Sequence, residues 1–180
     1  AKREFPEYAG CISMALTPMT LTARLIRELH PEAKIVFVGP CAAKKLEAMR
    51  TSVRSEVDFV LTFEEMAAML EAKGVDYLKL DPEDTSDFAT ASADGRGFAV
   101  SGGVANAVVN AIHRKYTGRE VKVEAAEGLE GCRAMMRAAT KGKFDGYLLE
   151  GMACPGGCVA GAGTLQSIAK STALVNMYKK

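Results

Sequence analysis

The sequence predicts an α/β fold, with a mainly parallel sheet of about four strands flanked by helices, in a single domain spanning residues 1–180. Two observations carry this. Short apolar, β-branched runs alternate with segments of helical period. A helical segment separates most of the strand candidates, so the strands pair in parallel through right-handed crossovers.

The elements follow in chain order. Thr17-Pro18 opens the first helix, with Thr as N-cap and Pro at the first helical position. Leu21, Leu25, Ile26 and Leu29 then repeat at helical spacing, and Pro31 ends the helix. Ile35-Val36-Phe37-Val38 reads as a buried strand, closed by Gly39-Pro40-Cys41. Val57 to Leu61 is a second strand. Thr62 with Glu65 three residues on is a capping box, and Gly74 stops the helix that it starts. Tyr77 to Gly97 is a polar excursion with turn signals at Asp81-Pro82 and Asp94-Gly95 and one short edge strand. Phe98-Ala99-Val100 leads into Ser101-Gly102-Gly103 and a helix with Val104, Val108, Val109 and Ile112 inward. Val121 to Val123 is a strand, and Leu129, Cys132, Met136 and Ala139 line the next helix, which ends at Gly142. Gly146 to Glu150 is the last strand. A glycine-rich turn from Cys154 to Gly163 precedes a C-terminal helix from about Gln166.

Composition narrows the function classes. Apolar residues make up 48% of the chain and charged residues 25%, with a net charge of +1. That is the balance of a globular domain, without the basic field of a nucleic-acid binder. No apolar stretch approaches the roughly 20 residues of a membrane-spanning helix. The chain opens Ala1-Lys2-Arg3 with no apolar run behind it, so no secretory leader is read there. Five cysteines, an odd number, argue against a disulfide framework and for reduced thiols or metal ligands in a cytoplasmic setting.

Ligands of parallel α/β sheets sit outside the carboxyl ends of the strands. Cys41, the Ser101-Gly102-Gly103 turn, and Cys154 with Cys158 all fall there. Thiolates are soft ligands for iron–sulfur clusters, copper(I) or zinc, and glycines let a backbone wrap closely round a bulky group. By spacing alone, the Cys154–Cys158 turn reads equally well as a flexible glycine loop with two incidental cysteines. Cys41 by itself reads more simply as a small buried residue beside solvated lysines. Lys44 places a cation three residues beyond it, able to donate to an anionic ligand. Cys11 and Cys132 read as small packing residues. The methionines read as core filler, and His30 and His113 as cations near helix ends.

Taken together, these segments resemble the iron-only (FeFe) hydrogenases, in the C-terminal domain that carries the H-cluster. Pro40, Cys41, Lys44 and Glu47 match the family's Pro-Cys-x-x-Lys-x-x-Glu loop. Glu150, Met152, Cys154 and Cys158 match its Glu-x-Met-x-Cys-x-x-x-Cys loop. Ser101-Gly102-Gly103-Val104 is similar to the family's Thr-Gly-Gly-Val helix start. The resemblance implies a lobe of the H-cluster domain and reversible oxidation of molecular hydrogen to protons and electrons. The implied cofactor is a 4Fe–4S cluster joined to a two-iron subcluster. Cys41, Cys154 and Cys158 would ligate the 4Fe–4S cluster, with Cys158 bridging to the two irons. Lys44 would donate to a cyanide ligand, Met152 would pack beside the two-iron centre, Glu47 would stand behind them, and Ser13 would relay protons. Hydrogen and protons would be the substrates. Ferredoxin-like or in-chain iron–sulfur carriers would be the electron partners, with no role for nucleic acid or membrane.

The sequence departs from the family pattern in three places. The family's Thr-Ser-Cys-Cys-Pro loop, source of the fourth ligand, is absent, so the chain reads as truncated upstream, inactive alone and prone to self-association through uncovered apolar surface. Gly39 replaces a Met, and Gly161-Ala162-Gly163-Thr164 replaces Gly-Gly-Gly-Gln. Two alternatives stand beside the hydrogenase: a non-catalytic iron–sulfur homologue of the cluster-assembly type, and a hydrogen-sensing regulatory domain.

Overall fold

Two β-α-β units organise the chain. The computed structural model describes residues 2–80 and 91–179. The chain divides into two compact units, residues 1–80 with Ala162–Leu165, and residues 81–161 with 166–180.

In the first unit, a 3-10 turn at Pro6–Cys11 precedes helix α1, Pro18–Leu29. The Thr17 hydroxyl caps α1 by accepting from the backbone N–H of Thr20, and Pro18 occupies its first turn. Strand β1 (Val36–Val38), helix α2 (Ala43–Met49) and strand β2 (Phe59–Leu61) form the β-α-β unit. The strands pair in parallel, with Val36 opposite Phe59, and the Gly39 N–H carries the pairing one step further to the Leu61 carbonyl. Helix α3, Phe63–Ala72, has both halves of the capping box between Thr62 and Glu65. The returning segment is tied in by Gly163, whose N–H donates to the Pro40 carbonyl and whose carbonyl accepts from the Glu64 N–H. A Cβ at Gly163 would lie 2.3 Å from that of Thr62, so only glycine fits.

In the second unit, helix α4 (Ala93–Arg96) and a 3-10 turn (Gly97–Ala99) lead into helix α5, Gly103–Lys115. Strand β3 (Lys122–Glu127), helix α6 (Gly128–Ala139) and strand β4 (Tyr147–Met152) form the second β-α-β unit. Its strands pair in parallel over six positions, from Lys122 opposite Tyr147 to Glu127 opposite Met152. Helix α7, Ile168–Tyr178, closes the chain and is anchored by the Arg96 guanidinium 4.6 Å from the Tyr178 ring centroid.

Among the described residues, the α/β class and four parallel strands are as the sequence predicts, but the strands pair two by two, β1 with β2 and β3 with β4, rather than as one sheet. Hydrophobic runs specify strands; they do not specify which strands meet. Phe98 and Ala99 lie in the 3-10 turn and Val100 is the extended residue that caps it, so the run is not a strand ahead of Ser101. Of the polar excursion, residues 81–90 lie outside the described residues, and α4 occupies its end, capped by Ser92.

Helix faces differ too. The leucines that carry the period of α1 are exposed, at 48% for Leu21, 52% for Leu25 and 75% for Leu29. Met19, Thr20 and Ala23 are buried instead. On α5 the buried residues are Ala105 and Ala107, and Val108 is exposed; on α6 Met135 and Ala139 are buried, and Leu129 is exposed. On α5 small residues win the buried positions because backbone elements approach closely. A Cβ at Gly103 would stand 1.9 Å from the Gly97 carbonyl oxygen. Gly103→Ala is therefore expected to cost at least about 2 kcal/mol, because a backbone atom cannot rotate away. Gly131→Ala in α6, where the new methyl meets only Ala126 at 4.0 Å, is expected to stabilise by about 0.5–1 kcal/mol. Urea unfolding of the two variants checks the contrast.

Candidate metal centre

Strand β4 runs directly into the paired predicted ligands Cys154 and Cys158, and a buried carboxylate fixes its end. Glu150 is only 8% exposed. One of its oxygens accepts from the Gly102 N–H at 2.7 Å and the other from the Ala105 N–H at 2.6 Å. These groups are at the start of α5, where backbone N–H groups lack helical partners and the helix dipole favours an anion. Gly102 has φ +81°, the left-handed conformation that turns the chain into the helix. Glu150, the first residue of the cysteine motif, thus locks β4 to the Ser101-Gly102-Gly103 turn.

The Cys154–Cys158 turn lies against the same backbone. Gly156 donates its N–H to the Glu127 carboxylate at the end of β3 and accepts from the Ser101 N–H. Gly157, at φ +95°, has no room for a side chain: a Cβ there would lie 2.6 Å from the Ser101 nitrogen and 2.8 Å from the Ala99 oxygen. A short 3-10 turn, Cys158–Ala160, follows. Cys154, Cys158 and Met152 are all half-buried. Cys132 is a packing residue, as predicted; its thiol faces the Ala126 and Met152 carbonyl oxygens, each at 3.6 Å, and joins α6 to both strands.

In the first unit, Cys41 is half-buried in the turn between β1 and α2, and its carbonyl accepts from the Lys44 N–H. The Lys44 ammonium is 2.6 Å from a Glu47 oxygen, with both side chains about one-fifth exposed. The other Glu47 oxygen accepts from the hydroxyls of Thr17 and Thr20 on α1, the latter at 3.2 Å. Burial pushes the Glu47 carboxyl up, but the hydrogen bonds from Lys44 and Thr17, the Lys44 charge and the Thr20 hydroxyl together outweigh it and hold it below the ordinary value of 4.5. The threonine pair was not legible as part of a site, since a Thr-Pro helix start has a sufficient local explanation. Ser13 is exposed in the stretch before α1, and its hydroxyl accepts from the Ala15 N–H.

All five cysteines are reduced. Neither unit gathers by itself, among the described residues, three His, Cys, Asp or Glu side chains in reach of one metal ion. The predicted ligands are divided between the units, Cys41 in the first and Cys154 with Cys158 in the second.

Residues 1–162 match the family model described as "Iron only hydrogenase large subunit, C-terminal domain". The chain belongs to this family. Within it, the chain is 27% identical to the periplasmic [Fe] hydrogenase large subunit of Nitratidesulfovibrio vulgaris, over 91% of this chain and 48% of that protein. It is 25% identical to cytosolic iron-sulfur assembly component 3 of Mus musculus, over 87% of this chain and 42% of that protein. The chain thus spans a little under half the length of these two relatives. It shares the fold of an [FeFe]-hydrogenase from Chlamydomonas reinhardtii, with a TM-score of 0.71 at 19% identity over 96% of this chain and 62% of that one. No helix among the described residues is long and apolar enough to cross a membrane.

Two outcomes test these contacts. Glu150→Gln puts an amide donor against one of two backbone donors and removes the charge, so a loss of about 2 kcal/mol is expected in urea unfolding at pH 7. Because the folded-state value of Glu47 is lowered, its stabilising contribution is present above the unfolded value and lost as the pH falls through the folded one. Wild type and Glu47→Gln are therefore expected to differ in unfolding midpoint at pH 7 and to converge in acid, once the pH has fallen through the lowered folded-state value.

Proposed function

We propose that the chain is part of a hydrogenase and that Cys41, Cys154 and Cys158 hold the 4Fe–4S portion of an H-cluster. The observation that carries this reading is the cysteine turn itself, with Gly157 pressed onto Ala99–Ser101 and the motif carboxylate Glu150 clamped across the start of α5. A flexible loop with incidental cysteines has no need of such a seat. The donor set fits the group: three reduced, half-buried thiols suit iron–sulfur ligation. We take both units to belong to one H-cluster domain.

When bound, the cluster supplies the bond chemistry of hydrogen and the path for its electrons. The chain's own residues do the rest. Cys158 would bridge to the two-iron part, and Met152 would pack against it and keep water away. Lys44, charged and anchored by Glu47, would present an ammonium proton to an anionic ligand. Ser13 would pass protons toward solvent. A ferredoxin-like carrier in a reducing, cytoplasmic setting would exchange the electrons.

The assembly-type relative supports a second reading, in which the 4Fe–4S cluster is held without the two-iron part and without hydrogen turnover. Anaerobic reconstitution of the full-length protein with iron and sulfide, then with a two-iron mimic, separates the two. A reduced-cluster EPR signal together with infrared bands of CO and cyanide, both lost in Cys158→Ala, is expected. A cluster signal that never gains those bands would select the second reading. No cluster signal at all would sink the ligand assignment.

A further inference from the structure

We propose that Thr17 and Thr20 are positioning residues for Lys44. They act through Glu47, by holding its carboxylate so that the Lys44 ammonium has one place to sit. The functional half of this proposal rests on the reading of Lys44 as a donor toward the cluster; the geometry does not.

Thr20 is fully buried, at 0% exposure, on the one face of α1 that packs inward. A buried hydroxyl needs a partner, and its acceptor is Glu47, 27 positions away in sequence. The Thr17 hydroxyl serves as both acceptor and donor. Its oxygen accepts from the Thr20 N–H, which starts α1, and its proton goes to the same Glu47 oxygen. A hydroxyl has one proton and two lone pairs, so both bonds form at once. The opposite Glu47 oxygen is left for Lys44. A continuous path of polar contacts therefore runs from the start of α1 to the ammonium on α2.

The path has the character of a brace rather than of a proton wire. A relay group must take up and release its proton near the working pH. The same hydrogen bonds that hold Glu47 also hold its carboxyl below the ordinary range, so it remains an anion. A fixed anion confines a lysine whose flexible stem would otherwise sample many rotamers, and it leaves the remaining ammonium protons for another acceptor. The buried stripe of α1 follows the same logic. Thr20 faces inward toward Glu47, on the same buried face as Met19 and Ala23.

The test is competitive amine labelling of the full-length protein without cluster, read lysine by lysine by mass spectrometry. Glu47→Gln sets the ceiling for a released Lys44. Thr20→Val, which keeps the shape and removes only the hydroxyl, is expected to raise Lys44 labelling several-fold. Lys45, paired instead with Glu65, should not change, and Thr20→Ser should restore the wild-type level. A rise shared by Lys45 and Lys73 would mean that Thr20 merely staples the helices together, and no rise beside a clear Glu47→Gln effect would mean that it does not brace Glu47. Either result overturns the proposal. In the cluster-loaded protein, Thr20→Val and Lys44→Met are expected to move the same cyanide stretch in the same direction. An unmoved stretch in Lys44→Met would refute the cluster-facing role of Lys44, and with it the functional half of the proposal, whatever the labelling shows. A shift in Lys44→Met that Thr20→Val fails to reproduce would overturn the positioning role alone.

Discussion

Glu150 accepts hydrogen bonds from two backbone N–H groups at the start of α5 while standing near the end of β4, and the second unit's candidate site depends on that bridge. A buried carboxylate with no partners would be costly. Here both oxygens are satisfied by donors that a helix start leaves unpaired, and the helix dipole adds to the attraction. Strand, turn and helix are fixed to one another by a single side chain. Gly103 can then rest on the Gly97 carbonyl and Gly157 on the Ala99–Ser101 backbone, contacts too close for any other residue. The two cysteines hang from this framework, which gives their turn a defined shape.

The first unit solves an analogous problem with an ion pair. Lys44 and Glu47 are one helical turn apart on a helix of only seven residues. An exposed pair of this kind contributes little, because solvent screens it and both chains lose entropy. Partial burial and two threonine hydroxyls change the balance, since Glu47 receives donors from α1 as well as from its own helix. The pair then links elements far apart in sequence and holds the Lys44 ammonium in one place.

Local chemistry was readable in advance. The Thr17 and Thr62 caps, the capping box with Glu65, and the helix stop at Gly74 are each set by groups within a few residues, and they form as the sequence predicts. The cysteine turns were also placed correctly at the carboxyl ends of strands, because a β-α-β unit puts its loops there whatever surrounds it. Helix faces were read less well. The apolar period of α1 pointed to Leu21, Leu25 and Leu29, yet the helix buries Met19, Thr20 and Ala23. Hydrophobic periodicity counts apolar side chains and has no knowledge of a carboxylate waiting on another helix.

The sequence by itself determined the α/β class, the helix caps, and the two cysteine motifs with their family. These depend on short-range sterics, backbone hydrogen bonding and residue spacing. Only the tertiary structure decided that the strands pair in two separate sets, that Glu150 clamps α5, that Gly163 and Gly157 fill gaps a methyl group would close, and that Thr20 serves Glu47. Each of those joins groups distant along the chain, and a distant partner leaves no mark on the local pattern until folding brings the two together.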